Sequence, residues 1–213
     1  MDSSIIRYLE DKYSPSSILV YGSYADGTED RYSDFDCMLI VDEKTADVDN
    51  AVIGGVSLDC RIFTVFDTYS EDLEPFLPVY DAVILKDRMG TARALKERVR
   101  GYVEANRVCP ESEKRQILLW SVKLLRRMGK KDEEGNYRAV ELLSQSLSDY
   151  FRLRDMFFPG SRKAIRWLQE NDGEGFELYR KALLMRTNSS IEDWVRHSVA
   201  PVVQTLFKHL SET

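Results

Sequence analysis

At 213 residues, with 43% hydrophobic and 11% aromatic side chains, the chain can build one large domain or two small ones with real cores. A formal charge of -6 and a pI near 5.1 exclude a protein that holds long nucleic acid by neutralising phosphates, while leaving room for a local basic pocket that takes a nucleoside triphosphate. No apolar run reaches the length needed to cross a bilayer, and MDSSIIRYLEDKY mixes acids into an amphipathic pattern where a signal peptide would carry a basic patch and an apolar block, so a cytoplasmic protein without a membrane partner is expected.

In chain order, Ile5, Ile6 and Leu9 form a helical stripe behind Asp2, Ser3 and Ser4, which predicts a short helix over residues 2–13 ending before Ser14-Pro15. Three β-rich runs follow at residues 18–21, 35–41 and 56–65, separated by loops rich in Gly, Asp and Ser. A short helix is expected over residues 70–77, then a strand over 82–85 with a turn ending at Gly90. From Thr91 apolar residues recur at helical spacing, predicting helices at 91–106, 111–129, 138–157, 161–171, 174–186 and 191–210. Pro110, Gly129, Gly135, Pro159-Gly160, Asp172-Gly173 and Asn188 punctuate them, and Pro201 should kink or split the last. The fold class is α+β: a small mixed-sheet domain over residues 1–90, then an all-helical bundle over 91–213. Cys37, Cys60 and Cys109 are odd in number and set among apolar residues, which suits buried thiols.

The stretch LVYGSYADGTEDRYSDFDCMLIV carries the chemistry. Residues i and i+2 of a strand share a face, so Asp34 and Asp36 project together while Phe35 and Cys37 point into packing. Two adjacent carboxylates repel and call for a cation, and oxygen-only donors suit Mg²⁺. A third acid, Asp59 in VSLDCRIF, interrupts an otherwise apolar strand and would join the pair from an adjacent position. Three carboxylates around two ions form the apparatus of in-line phosphoryl or nucleotidyl displacement. Gly22-Ser23, at the end of the first strand, lets backbone amides and a hydroxyl approach a phosphate tail. Each feature alone has a bland explanation, a turn for Gly-Ser and a solvated loop for Asp-x-Asp; their order and spacing favour a metal site.

GSYADGTEDRYSDFDCMLI followed by the later acid resembles the signature of the DNA polymerase β-type nucleotidyltransferase superfamily, over about the first ninety residues and including AVILKDRMG. The helical domain that follows is similar to the layout of aminoglycoside and lincosamide nucleotidyltransferases. The resemblance implies that Asp34 and Asp36 bind the catalytic and nucleotide-bound Mg²⁺ ions, that Asp59 binds the catalytic one, that Gly22 and Ser23 hold the β and γ phosphates, and that Ser33 matches a serine often found before the acidic pair. The reaction implied is transfer of a nucleoside monophosphate, most often AMP from ATP, to an acceptor hydroxyl with release of pyrophosphate. Glu141 is the candidate general base.

In the helical half, FFPGSRKAIRWLQE sets Arg162, Lys163 and Arg166 at a helix start, where they oppose the dipole, and it resembles a Pro-Gly-x-x-Lys stretch of some nucleotidyltransferases; Lys163 is the candidate phosphate ligand. Trp120, Trp167 and Trp194, like Tyr150 and Phe151, are expected in the core. His197 and His209 are the only histidines, which disfavours histidine acid–base chemistry. The reading is a Mg²⁺-dependent nucleotidyltransferase using ATP or another NTP and a small hydroxylated acceptor, an antibiotic being the illustration. The alternatives are a protein adenylyltransferase and a non-catalytic nucleotide sensor.

Overall fold

The computed structural model describes residues 3–211, with side chains through Gln204, and the chain divides into two compact units, 1–104 and 105–213. The class is α+β, a mixed sheet followed by helices.

The first unit opens with α1 (Ser3–Tyr13), β1 (Ser17–Val20), a short α2 (Gly22–Asp26) and β2 (Phe35–Val41). Two short strands follow, β3 (Val48–Asp49) and β4 (Val52–Ile53); β4 turns through Gly54-Gly55 into β5 (Val56–Thr64) as a hairpin, and β6 (Val83–Asp87) closes the sheet. Strand order is β3-β5-β2-β1-β6, with β4 paired to β5; β2 and β5 run parallel and the other pairs antiparallel. Alternation sorts the faces. Ile18 and Val20, Phe35, Cys37, Leu39 and Val41, and Leu58, Cys60 and Ile62 join Ile5 and Leu9 of α1 in one buried cluster, leaving Asp36 and Asp59 on the opposite face. Asp49 anchors α1 to the sheet rim by accepting from Tyr8 and Tyr13 hydroxyls at 3.0 and 2.8 Å and from the Lys12 ammonium at 3.0 Å.

Where a helix is expected over 70–77, the chain makes two 3-10 turns, Asp67–Tyr69 and Glu74–Asp81. Pro75 and Pro78 remove the amide donors that an α-helix would need there. The helix that follows, α3 (Thr91–Asn106), is tied to this segment: Arg98 donates to the carbonyls of Thr68 and Ser70, Arg100 to that of Tyr80, and Lys96 to that of Ala82. These bonds explain why the compact unit extends past Gly90 to Glu104.

The second unit holds α4 (Glu111–Met128), α5 (Glu133–Arg152), α6 (Ser161–Asn171), α7 (Gly173–Met185) and α8 (Asn188–Ser211). α5 starts before the expected 138 because Asp132 caps it, accepting from the Gly135 amide at 2.8 Å; Gly135 is buried inside the first turn, where a Cβ would meet the Arg127 and Met128 carbonyls at 3.2 Å. Pro201 lies within a continuous α8 and does not split it. Trp194 is fully buried and donates to Ser146 Oγ at 2.8 Å, and Tyr150 and Phe151 are core, whereas Trp120 is 39% exposed, against expectation. A shared stripe on α4 supplies Leu124 and Met128 to the core and leaves Trp120 at its edge. The side chain of His209 lies outside the described residues. The three cysteines are free and buried. Among the described residues no helix is long and apolar enough to cross a membrane.

Candidate active site

β1 ends at Val20, and the Tyr21 amide donates to the Asp36 carbonyl at 3.1 Å, so the chain leaves the strand still tied to β2. Tyr21 is extended and Gly22 swings to φ +66, which launches α2. Two constraints demand glycine here. The dihedral is one that L side chains rarely adopt, and an added Cβ would fall 2.2 Å from Asp36 Oδ2. The Gly22 backbone is therefore pressed against the Asp36 carboxylate. Ser23 follows, buried within the first turn of α2, which ends at Gly27 in the left-handed conformation.

The loop into β2 is held by its own side chains. Asp30 Oδ1 accepts from the Tyr32 amide at 2.8 Å, and Ser33 Oγ accepts from the Asp30 amide at 2.9 Å. Ser33 thus braces the loop that delivers Asp34. The strand begins at Phe35, so Asp34 stands one residue before it, exposed, while Asp36 is half-buried between fully buried Phe35 and Cys37. Asp59 sits on β5 in direct register with Asp36 across the parallel pair and is exposed. The prediction that a neighbouring strand would bring Asp59 to the acidic pair describes this register.

Electrostatics tie the same residues together. Burial pushes the Tyr21 hydroxyl well above the ordinary tyrosine value; Arg61 pulls it back while Asp59 and Asp36 push it further. The Tyr21 hydroxyl donates to the Cys37 carbonyl at 3.2 Å, so one phenol, one guanidinium and two carboxylates share a neighbourhood at this part of the sheet. Arg61 follows Asp59 on the same strand face, two residues on.

Among the described residues no group of three or more His, Cys, Asp or Glu side chains stands close enough to hold a metal ion. The donor set nonetheless suits a hard divalent cation: two carboxylates in register on adjacent strands, a third just upstream, all oxygen, beside a backbone turn too close for any Cβ. The other two expected residues belong to the second unit. Glu141 is half-buried on α5 and accepts from Arg138 at 2.8 Å. Lys163 is half-buried in the first turn of α6. Sequence reasoning missed α2 itself, whose signal was the Gly22 and Gly27 pair bracketing one helical turn.

The chain belongs to the nucleotidyltransferase domain family, whose model matches residues 3–145, and the protein is accordingly a transferase. A solved structure described as a nucleotidyltransferase-like protein from Exiguobacterium sibiricum 255-15 is similar at 14% identity and a TM-score of 0.36, covering 95% of this chain and 73% of that one. No curated protein matches the chain.

Proposed function

We propose that the protein transfers a nucleoside monophosphate, AMP from ATP in the simplest case, to a hydroxyl of a small acceptor and releases pyrophosphate. The observation that carries this is the juxtaposition of Gly22 against the Asp36 carboxylate with Asp59 in register beside it. Asp34, Asp36 and Asp59 would hold Mg²⁺, two ions in the full arrangement. When bound, the metal offsets phosphate charge and lowers the barrier to in-line displacement at phosphorus. Gly22 lets the turn approach a phosphate oxygen without steric hindrance, and Ser23 adds a hydroxyl beside it. Ser33 keeps the Asp30–Ser33 loop folded so that Asp34 enters the site from a fixed direction. In the second unit Glu141, ion-paired with Arg138, is the candidate general base, and Lys163 the candidate phosphate ligand. The residues 1–90 bear the chemistry, and the helical residues the acceptor, an aminoglycoside- or lincosamide-like hydroxylated compound being the model.

The test is pyrophosphate release from each of the four NTPs with Mg²⁺ across a panel of hydroxylated small molecules, with Asp34→Ala/Asp36→Ala as control. Release that requires an acceptor, Mg²⁺ and the aspartates is expected. Release indifferent to the aspartates, or transfer found only on a protein side chain, would overturn the small-acceptor reading.

A further inference from the structure

The second unit carries a groove of about 870 Å³ between α4 and α5. Helical spacing builds its walls: Ile117, Trp120 and Lys123 recur at three-residue steps on α4, and Tyr137, Val140 and Glu141 share a face of α5. The aromatic and apolar lining stays open to solvent, with Tyr137 64% and Val140 66% exposed. Exposure of that kind does not identify an occupant, but one further lining residue does. Asp149, two turns beyond Glu141 on α5, is only 8% exposed. Its side chain accepts a single hydrogen bond, from the neutral Gln145 amide to Oδ1 at 3.2 Å, and among the described residues no cation pairs with it. Burial pushes this carboxyl above its ordinary value, and the Gln145 bond offsets that only in part.

Two further charged residues line the groove, and among the described residues neither is paired with Asp149. Lys123, on the opposite wall, lays its ammonium over the Trp120 ring, 4.9 Å from the centroid. Glu141 is held by Arg138. A buried carboxylate without a cation is costly, and a groove that leads to it past two aromatic rings gives an incoming ammonium both a counter-charge and an apolar wall.

We propose that this groove binds a small organic cation, a primary ammonium carried on an aromatic or aliphatic body, with the ammonium at Asp149 and the body along Trp120 and Tyr137. The site lies wholly in the helical unit, and because Glu141 lines it, the inference deepens the acceptor reading above and rests on it, while amine binding itself is measured without nucleotide. Its selectivity is for one positive charge on a compact apolar frame, because among the described residues Asp149 lines the groove without a paired cation while Ile117, Leu119, Trp120 and Val140 supply apolar wall.

Calorimetric titration of the full chain without nucleotide tests it, using phenethylammonium and hexylammonium against phenethyl alcohol and hexanol. Each ammonium is expected to bind one site at least roughly tenfold more tightly than its alcohol, the factor a charge-assisted hydrogen bond supplies. Asp149→Asn, which keeps the side-chain shape, should erase that preference while leaving the alcohols unchanged. Trp120→Ala, at a half-exposed position, should weaken amine and alcohol alike, and circular dichroism melts confirm that both variants fold. Equal binding of amine and alcohol, a preference that survives Asp149→Asn, or no saturable binding would each overturn the proposal. Sedimentation showing a dimer that Trp120→Ala dissociates would also overturn it, by assigning the groove to a second copy of the chain.

Discussion

Two glycines in this molecule are pressed against aspartates, and the difference between the two places separates chemistry from architecture. In the first unit a Cβ on Gly22 would lie 2.2 Å from Asp36 Oδ2; in the second, a Cβ on Gly175 would lie 2.5 Å from Asp172 Oδ2 and 2.8 Å from His197 Nε2. Asp172 is surrounded by donors. It caps α7 through the Gly175 amide at 2.9 Å, accepts the Tyr150 hydroxyl at 2.6 Å and meets His197 Nε2 at 2.7 Å. The rings of Tyr150 and His197 stack, and Trp194 stacks on Tyr150 in turn, so this carboxylate fastens α5, α7 and α8 in one network. Asp36 faces another acid, Asp59, across the strand pair. Donors gathered around a carboxylate hold a fold together, whereas acids gathered around a carboxylate destabilise it until a cation arrives.

The sharpest way to break the comparison is to neutralise each acid in turn. Asp36→Asn/Asp59→Asn should lower pyrophosphate release at least about a thousandfold while the melting temperature changes little, because both replacements keep the side-chain shape and relieve the repulsion between the two acids. Asp172→Ala should do the reverse, costing about 3 kcal/mol in urea unfolding with transfer per folded molecule retained. Gly175→Ala comes next, at about 2 kcal/mol by the same measurement, since the new methyl group must displace the Asp172 carboxylate and the His197 ring.

The smallest effect is a pH window. Although burial by itself raises the Asp172 carboxyl, the His197, Tyr150 and Gly175 hydrogen bonds outweigh it and bring the value from 3.8 down to about 2. A depressed carboxyl contributes stability that is fully present above the unfolded value and is lost as pH falls through the folded one. Urea unfolding of the parent should therefore lose at most about 2 kcal/mol to this group between roughly pH 4 and pH 2. In Asp172→Asn that part of the acid dependence should be missing.

Much of this contrast was written in the sequence, but unevenly. β2 at residues 35–41 and α3 at 91–106 were legible to the residue, because a continuous apolar run bounded by loop residues and a clean apolar stripe each point to one element type. The side of the sheet that Asp36 takes was legible from its neighbours: Phe35 and Cys37 are buried in the core on the other face, whereas Asp34 stands before the strand begins. What periodicity does not encode is pairing. That β5 lies parallel to β2 with Asp59 opposite Asp36 depends on long-range register, which local pattern constrains only through a matched apolar face. Gly135 read as a breaker because glycine's local preference is for turns, yet it sits inside α5 where two carbonyls leave no room for a side chain. Trp120 read as core because helical spacing shows which stripe is apolar and not how wide the covering neighbour is. The Asp172 hub was invisible altogether: its three partners come from positions 150, 175 and 197, and no short window contains them.

The central claim, that the acids of the sheet serve a metal-bound nucleotide, is tested most directly by equilibrium titration of ATP into the parent chain and into Asp36→Asn/Asp59→Asn, each with Mg²⁺ and with chelator. The account predicts tight binding only when Mg²⁺ and both aspartates are present. Binding of equal strength in chelator, or in the doubly substituted chain with Mg²⁺, would contradict it.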